Sequence, residues 1–155
     1  MPTPDQIEAA ARLEREILEH IPLARAMQLG VSRYTGDELE MIAPLAPNIN
    51  DKGCAFGGSM ASLLTLAGWG LLELGLRAHG FACDIYVGDS QLRYHEPLWG
   101  ELRGVARFAE ADALAALVAG VRERGKGRAD VVCEIAGEGR AAASLVARFV
   151  AKLRT

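Results

Sequence analysis

The segment with the clearest chemical potential is a glycine-containing loop, Asn48 to Ser59, that leads into a long apolar stretch. The first N–H groups of a helix have no partner within that helix, and the helix dipole adds partial positive charge at the same end. A helix that begins near Gly57 and Gly58 is therefore suited to accept an anion or an oxyanion, and the bare glycine backbone lets a ligand approach closely. The same two glycines also suit tight packing of a helix on a sheet.

The apolar stretch behind this loop has the length of a membrane span, because no residue from Gly53 to Leu72 is charged. We predict a helix over residues 58–79, ended by Gly80. Several glycines within it, the lack of an aromatic or basic belt and the amphipathic segments on both sides argue against a membrane span. A helix that is apolar all round must be enclosed, and we expect a sheet wrapped around it.

The flanking segments supply the elements of such a sheet. Residues 1–21 predict an amphipathic helix that opens with a capping box at Thr3 and Gln6. Period-two alternation predicts strands over residues 27–32, 39–45, 85–94, 101–108, 131–135 and 144–153, and a surface helix capped by Asp112 is predicted over 112–124. The last segment also fits a helix, but its pairing across a glycine turn favours a strand. We predict one α+β domain over residues 1–155, with an antiparallel sheet curled around the central helix.

Composition excludes several classes of function. With 155 residues the chain is long enough to bury a core without disulfides or metals. The 17 basic and 20 acidic side chains are nearly balanced, which argues against a nucleic-acid partner. Cys54, Cys83 and Cys133 form neither a disulfide framework nor a metal-binding pair. No signal-peptide pattern is present at the N-terminus. We expect a cytoplasmic protein with no metal and no membrane association.

Two strings together resemble a known family. The run from Asn48 to Gly70 and the segment Asp89–Tyr94, followed by Pro97, are similar to the thioesterase-like proteins of the YiiD C-terminal type. The likeness spans about residues 21–150. That family lies in the hotdog-fold superfamily of acyl-CoA thioesterases and dehydratases. The resemblance implies a long helix wrapped by an antiparallel sheet. It also implies a homodimer, often a dimer of dimers, with active sites at the dimer interface. The implied substrate is an acyl-CoA or acyl-carrier-protein thioester, with no cofactor.

The resemblance also suggests roles for single residues. Many single-domain acyl-CoA thioesterases of the superfamily carry an Asn, then His-Gly-Gly six residues later, then a carboxylate nine residues after that His. The match implies that Asn50 binds water or substrate and that the Gly57 N–H polarises the thioester carbonyl. Phe56 stands where the pattern has His, and Thr65 stands where it has the carboxylate.

The residue that would act as the general base and activate water is therefore not identified by this pattern. Thr65 can position a water but is a poor base. Asp51 and Asp89 are the candidate carboxylates. Glu73 is too far from the start of the helix, because it lies roughly 12 Å beyond Thr65 along the helix axis. The predicted catalytic residues are Asn50, Gly57, Gly58, Thr65 and Asp89. The predicted substrate-binding residues are Asp51, Phe56, Ser90 and Arg93.

Three functions remain in competition at this point. The leading hypothesis is a thioesterase that uses the helix N-terminal amides as an oxyanion hole. A non-catalytic acyl-CoA binder is an alternative, because the expected acid is missing. A dehydratase or hydratase is less favoured, because it needs a histidine in the site and none occurs between residues 21 and 78. Cys54, just before the helix, is a further candidate nucleophile.

Overall fold

The computed structural model describes residues 1–155 and contains four α-helices and six strands. The elements in chain order are α1 (Pro4–His20), α2 (Pro22–Met27), β1 (Gly30–Tyr34), β2 (Glu38–Ala43), a 3₁₀ turn (Ala46–Asn48), α3 (Gly57–Ala78), β3 (Cys83–Tyr94), β4 (Leu102–Phe108), α4 (Ala113–Arg124), β5 (Lys126–Ala136) and β6 (Ala141–Leu153). The predicted six strands and three long helices are all present, and a short extra helix, α2, follows α1.

The strands form one antiparallel sheet in the order β1-β2-β4-β5-β6-β3. Helix α3 packs against β2, β3, β4, β5 and β6, so the sheet curls around it. The core between them is a single cluster of 37 buried residues. This architecture confirms the predicted α+β layout with a sheet around a central helix.

Close approach of the sheet explains why α3 is rich in small and apolar residues. A Cβ atom on Gly68 would lie 2.8 Å from the ring of Phe149, and one on Gly70 would lie 2.7 Å from the side chain of Leu39. Helix α3 is long and apolar enough to cross a membrane by length and composition, but 67% of its most apolar window is buried inside the protein. The uncharged stretch is therefore accounted for by enclosure within the sheet.

Two local predictions were wrong. Met27 was expected in a strand, but it ends α2, which begins with Pro22 at the first helical position and stops at Gln28 in the left-handed region (φ 56°). Proline suits that first position because the N–H it lacks has no helical partner anyway. Asp112 does precede α4, but its side chain makes no capping hydrogen bond. By contrast, the capping box between Thr3 and Gln6 is formed.

Strand β3 forms an open edge of the sheet. It pairs with β6 on one side only, and from Tyr86 onward all of its residues except Leu92 are exposed. Phe149 of β6 points toward α3, and residues directly opposite each other in an antiparallel pair share a face of the sheet. We call the face toward α3 the inner face and the opposite one the outer face. This register decides which β3 side chains can approach the helix.

Candidate active site

The start of α3 offers three backbone donors without acceptors. The preceding residue, Phe56, occupies the N-cap position and provides no side-chain hydrogen bond. The first helical hydrogen bond is donated by the Met60 N–H to the Phe56 carbonyl, at 3.1 Å. The N–H groups of Gly57, Gly58 and Ser59 therefore have no partner within the protein. Oxygen-bearing side chains usually cap this position, so a phenylalanine leaves the donors available to a ligand.

Contacts from neighbouring segments fix this helix start. The Tyr94 hydroxyl, at the end of β3, donates a 2.9 Å hydrogen bond to the Gly57 carbonyl. The Phe56 N–H donates to the Asn48 carbonyl at 2.7 Å. The Phe56 ring, which is 53% exposed, lies so close to Gly58 that a Cβ atom there would overlap it. A side chain at residue 58 would therefore have to displace the Phe56 ring, which is exposed and can move.

Tyr94 is a site residue that the sequence analysis did not select. It belongs to the Asp89–Tyr94 segment that carries the family resemblance, and its place at the strand end was predicted. What the sequence did not reveal is that this strand end meets the start of α3. Exposure of Tyr94 on the inner face is consistent with a role at the helix start.

Asn50 organises its own loop. Its Oδ1 accepts hydrogen bonds from the N–H groups of Lys52 (2.9 Å) and Cys54 (3.2 Å), and its Nδ2 donates to the Cys54 sulfur at 3.2 Å. The acceptor capacity of Oδ1 is filled by these two bonds. In this structure Asn50 therefore acts on the loop that leads to the helix start, and Cys54 is buried beside it.

Thr65 lies on a half-buried stripe of α3. Its hydroxyl donates a 2.8 Å hydrogen bond to the Ala61 carbonyl, so that its oxygen is left free to accept from a water or a ligand. Eight residues separate Thr65 from Gly57, which is ~12 Å along a helix axis. One thioester carbonyl cannot touch the Gly57 amide and Thr65 of the same chain at once.

The register of β3 separates the predicted residues on that strand. A bulge at Gly88 follows the pair Val87–Phe149, so Asp89 pairs with Arg148 and Ser90 pairs with the buried Ala147. Ser90 thus faces α3, together with Tyr94. Asp89 and Arg93, which pair with Arg148 and Ser144, lie on the outer face, away from the helix start. The structure does not bring Asp89 or Arg93 to the three free amides of this chain.

The charges around Asp89 form an outer-face cluster. Arg148 makes a two-pronged ion pair with Asp130, at 2.8 and 3.2 Å. The hydrogen bond from Arg148 lowers the pKa of the Asp130 carboxyl. The hydrogen bond and charge of Asp130, with a smaller contribution from Asp89, raise the pKa of Arg148. These charges stabilise the outer surface of the sheet.

Asp51 is also poorly placed to act as a base. Its carboxylate is exposed and pairs with the Lys52 ammonium at 2.9 Å. The hydrogen bond from Lys52 lowers the pKa of Asp51, which weakens it as a proton acceptor. Its position in the loop before α3 still allows contact with a substrate that lies over the helix start.

The three histidines lie outside this site. His20 is beside Glu19 at the end of α1, His79 follows the far end of α3, and His95 bonds the Ser144 hydroxyl on the outer face at 2.9 Å. No group of three or more His, Cys, Asp or Glu side chains is arranged to hold a metal ion. The geometry of the helix start can polarise a carbonyl oxygen through backbone donors.

A long helix enclosed by a curled antiparallel sheet defines the hotdog fold, and the open helix start is its candidate active site. The family model described as "Putative thioesterase (yiiD_Cterm)" matches residues 10–153. The chain belongs to this family.

Solved structures agree with this assignment. A protein of unknown function from Chlorobaculum tepidum TLS is 28% identical, with 98% of each chain covered and a TM-score of 0.89. A protein from Shewanella oneidensis described as a "putative thioesterase" is 27% identical, with 94% of this chain and 98% of that chain covered and a TM-score of 0.84. A thioesterase from Haemophilus influenzae, 11% identical over 93% and 90% of the chains, shares the fold with a TM-score of 0.68. The predicted family, the hotdog fold and the class of thioester hydrolase are confirmed.

Proposed function

We propose that this hotdog thioesterase hydrolyses acyl-CoA or acyl-carrier-protein thioesters and binds the thioester carbonyl oxygen with the amides of Gly57 and Gly58. The observation that carries the proposal is the set of three unpartnered N–H groups at the start of α3. In acyl transfer, each donor aimed at the developing oxyanion is worth ~3–4 kcal/mol of barrier. Tyr94 supports this arrangement by holding the Gly57 peptide in place.

Water would be positioned by Thr65 of a second copy of the chain. Its hydroxyl proton is directed to Ala61, so its oxygen can accept a hydrogen bond from a water and orient it. Because Thr65 is ~12 Å from the Gly57 amide along its own helix, the two groups can meet on one thioester only if they come from different chains. The proposed site is therefore shared between two protomers.

A homodimer is supported by two uncovered surfaces. The edge of β3 is twelve residues long and leaves its outward N–H and C=O groups without strand partners. Helix α3 leaves a half-buried stripe made of Gly58, Ala61, Ser62, Thr65, Leu66 and Trp69. Antiparallel pairing of two β3 edges would extend the sheet across both protomers. Association into a dimer of dimers stays a prediction. A sedimentation mass near twice the 16.6 kDa of one chain is expected for a dimer, and near four times that mass for a dimer of dimers; a monomer would contradict the shared site.

A non-catalytic acyl-CoA binder is the second candidate. It is favoured by the position of the two predicted carboxylates, because Asp51 is ion-paired in an exposed loop and Asp89 lies on the outer face. A binder would use the same helix amides and would release no thiol.

The two candidates are separated by a hydrolysis assay on purified protein. A panel of acyl-CoA substrates of increasing chain length is incubated with the protein, and released coenzyme A is trapped with a thiol-reactive dye. Thiol release that saturates with substrate supports the thioesterase. Saturable binding by calorimetry without thiol release supports the binder, and neither binding nor release contradicts both.

A further inference from the structure

Cationic side chains gather where α4 ends and β5 begins, far from the start of α3. They line a concavity of about 550 Å³, whose walls are Ala116, Arg124, Lys126, Gly127, Arg128 and Val150. Three of these six residues are basic and none is acidic. Lys152 of β6 stands directly opposite Lys126 in the sheet. We call Arg124, Lys126, Arg128 and Lys152 the basic corner.

Most other cations of the protein are neutralised by carboxylates. Ten of the 17 Lys and Arg side chains form an ion pair with Asp or Glu. Lys126, Arg128 and Lys152 are three of the seven that form none. Arg124 pairs only with its exposed neighbour Glu123, at 3.8 Å. Because the whole chain carries a net charge of −3, this unpaired positive cluster is a local exception.

The carboxylates nearest to the basic corner on the sheet are engaged by other arginines. Asp130 accepts both prongs of Arg148, at 2.8 and 3.2 Å. Asp84 lies beside Lys152 in the sheet and accepts a 2.8 Å hydrogen bond from Arg154. Neither acid is therefore free to neutralise the corner, and its positive charge is available to a ligand.

The register of the sheet sets these cations against one another. Lys126 and Lys152 are exposed and directly opposite, and like charges in that relation destabilise a sheet. Arg128 lies two residues after Lys126, on the same face and ~6.6 Å along the strand. Lys152 is one strand away, ~5 Å to the side. A ligand with several negative charges would bind all three cations and remove the repulsion between the two lysines.

We propose that the basic corner is a binding site for a ligand with two or more adjacent phosphate groups, such as the diphosphate of a nucleotide. Arginine offers a planar pair of donors to phosphate and lysine offers a point charge, and the corner contains both. The volume of the concavity is in the range of small-molecule sites. A mixed surface of the same size, with acids among the bases, would bind such an anion poorly.

This site is separate from the start of α3 in the same chain. Lys152 lies next to Asp84 at the beginning of β3, whereas Gly57 is bonded to Tyr94 at the end of that strand. Ten residues of strand correspond to ~30 Å. The inference therefore goes beyond the proposed function and does not depend on hydrolysis. The diphosphate can come from a free nucleotide or from coenzyme A held by another protomer, and the experiment separates these two sources.

The test is calorimetric titration of the full chain with ADP, and with adenosine as the matched probe that lacks phosphate. We expect saturable binding of ADP and no binding of adenosine. The Kd for ADP should rise between low and high salt, because exposed charges are screened by ions.

A pair of substitutions locates the binding. Lys126→Gln combined with Arg128→Gln removes two of the cations and is expected to raise the Kd for ADP about tenfold or more. Arg140→Gln is the matched control, because Arg140 also forms no ion pair but lies at the other end of β5, in the turn to β6. It should keep the native Kd. Thermal unfolding without ligand should show the double variant to be at least as stable as the native protein, since a like-charge pair is lost.

Coenzyme A is titrated into the same proteins to identify the source of the phosphates. A weaker Kd for coenzyme A in the double variant assigns the corner to coenzyme A from another protomer, and a weaker Kd for ADP alone assigns it to a free nucleotide. The proposal is overturned if neither compound binds, if adenosine binds as well as ADP, or if both Kd values are unchanged in the double variant. A protein without thioesterase activity would leave these results unaffected.

Discussion

Replacement of Gly57 by proline isolates the proposed oxyanion donor. Gly57 is the first residue of α3, a position where proline is well tolerated, and its N–H has no partner in the protein. Phe56 before it has φ −69° and ψ 131°, the extended conformation that a residue preceding proline requires. Gly57→Pro therefore deletes one donor while the helix keeps its other hydrogen bonds.

The expected magnitude follows from the role of the donor. Loss of one oxyanion donor lowers kcat by ~10²–10³-fold, or roughly 2.7–4 kcal/mol of transition-state stabilisation. The new side chain also approaches Tyr94, because a Cβ atom at this position lies 3.3 Å from its ring. Gly57→Ala is the matched control, since it adds the same Cβ and keeps the N–H.

The assay is thiol release from the best acyl-CoA of the panel, with thermal unfolding of each variant to verify the fold. The proposal requires Gly57→Pro to lose about a hundredfold or more in kcat, and Gly57→Ala to stay within about threefold of the native value. Native kcat in the proline variant refutes the role of this amide. Equal losses in both variants would assign the effect to the contact with Tyr94.

Three further predictions test the packing and the charges that support the site. Gly68→Ala places a methyl group against the Phe149 ring and should destabilise the fold by about 1–3 kcal/mol in urea unfolding; an unchanged midpoint would contradict the close packing of α3. Arg77→Met leaves Glu73, which is 5% exposed, without its 3.0 Å partner, and should cost about 3 kcal/mol, or roughly 6–12 °C in Tm, whereas an unaltered Tm argues against that pair. The lowered pKa of Asp130 stabilises the fold above the pKa of the unfolded chain, about pH 4, and this contribution is lost as the pH falls through the lower folded value. Asp130→Asn should therefore be less stable than the native protein at pH 6 and nearly equal to it at pH 2; a constant difference at both pH values would show that this carboxyl is not responsible.

The architecture was largely predictable because hydrophobic periodicity and the absence of charge are clear over long segments of the sequence. The uncharged run required enclosure, and alternation in the flanking segments predicted the strands that provide it. Helix α2 was missed because Pro22–Met27 is only six residues long, too short to show a helical period. Met27 then matched the alternation of the following strand by coincidence, and its burial comes from α2 instead.

The site was predictable only in its backbone part. Gly57 and Gly58 were selected because the first N–H groups of any helix lack partners and glycine lets a ligand approach them, and the structure has three free amides there. Side-chain positions depend on long-range register, which local patterns do not contain. A single bulge at Gly88 turns Asp89 to the outer face and Ser90 to the inner one. Strict alternation from Val87 would have given the opposite result.

Asn48 and Asn50 illustrate the same limit. Both are asparagines in one loop, and the family pattern drew attention to Asn50. In the structure Asn50 uses its Oδ1 within the loop, whereas Asn48 is buried with its Oδ1 unpaired. The difference arises because Asn48 reaches the carbonyl of Met27, twenty-one residues away in the chain, and no local pattern predicts that contact.

The most direct measurement is a crystal structure of the protein with a non-hydrolysable acyl-CoA analogue, in which a ketone or thioether replaces the thioester. The ketone analogue retains the carbonyl oxygen and is the informative one. The account predicts that this oxygen lies about 2.7–3.1 Å from the amide nitrogen of Gly57 or Gly58. A carbonyl oxygen bound away from the start of α3, with these amides still unpaired, would contradict it.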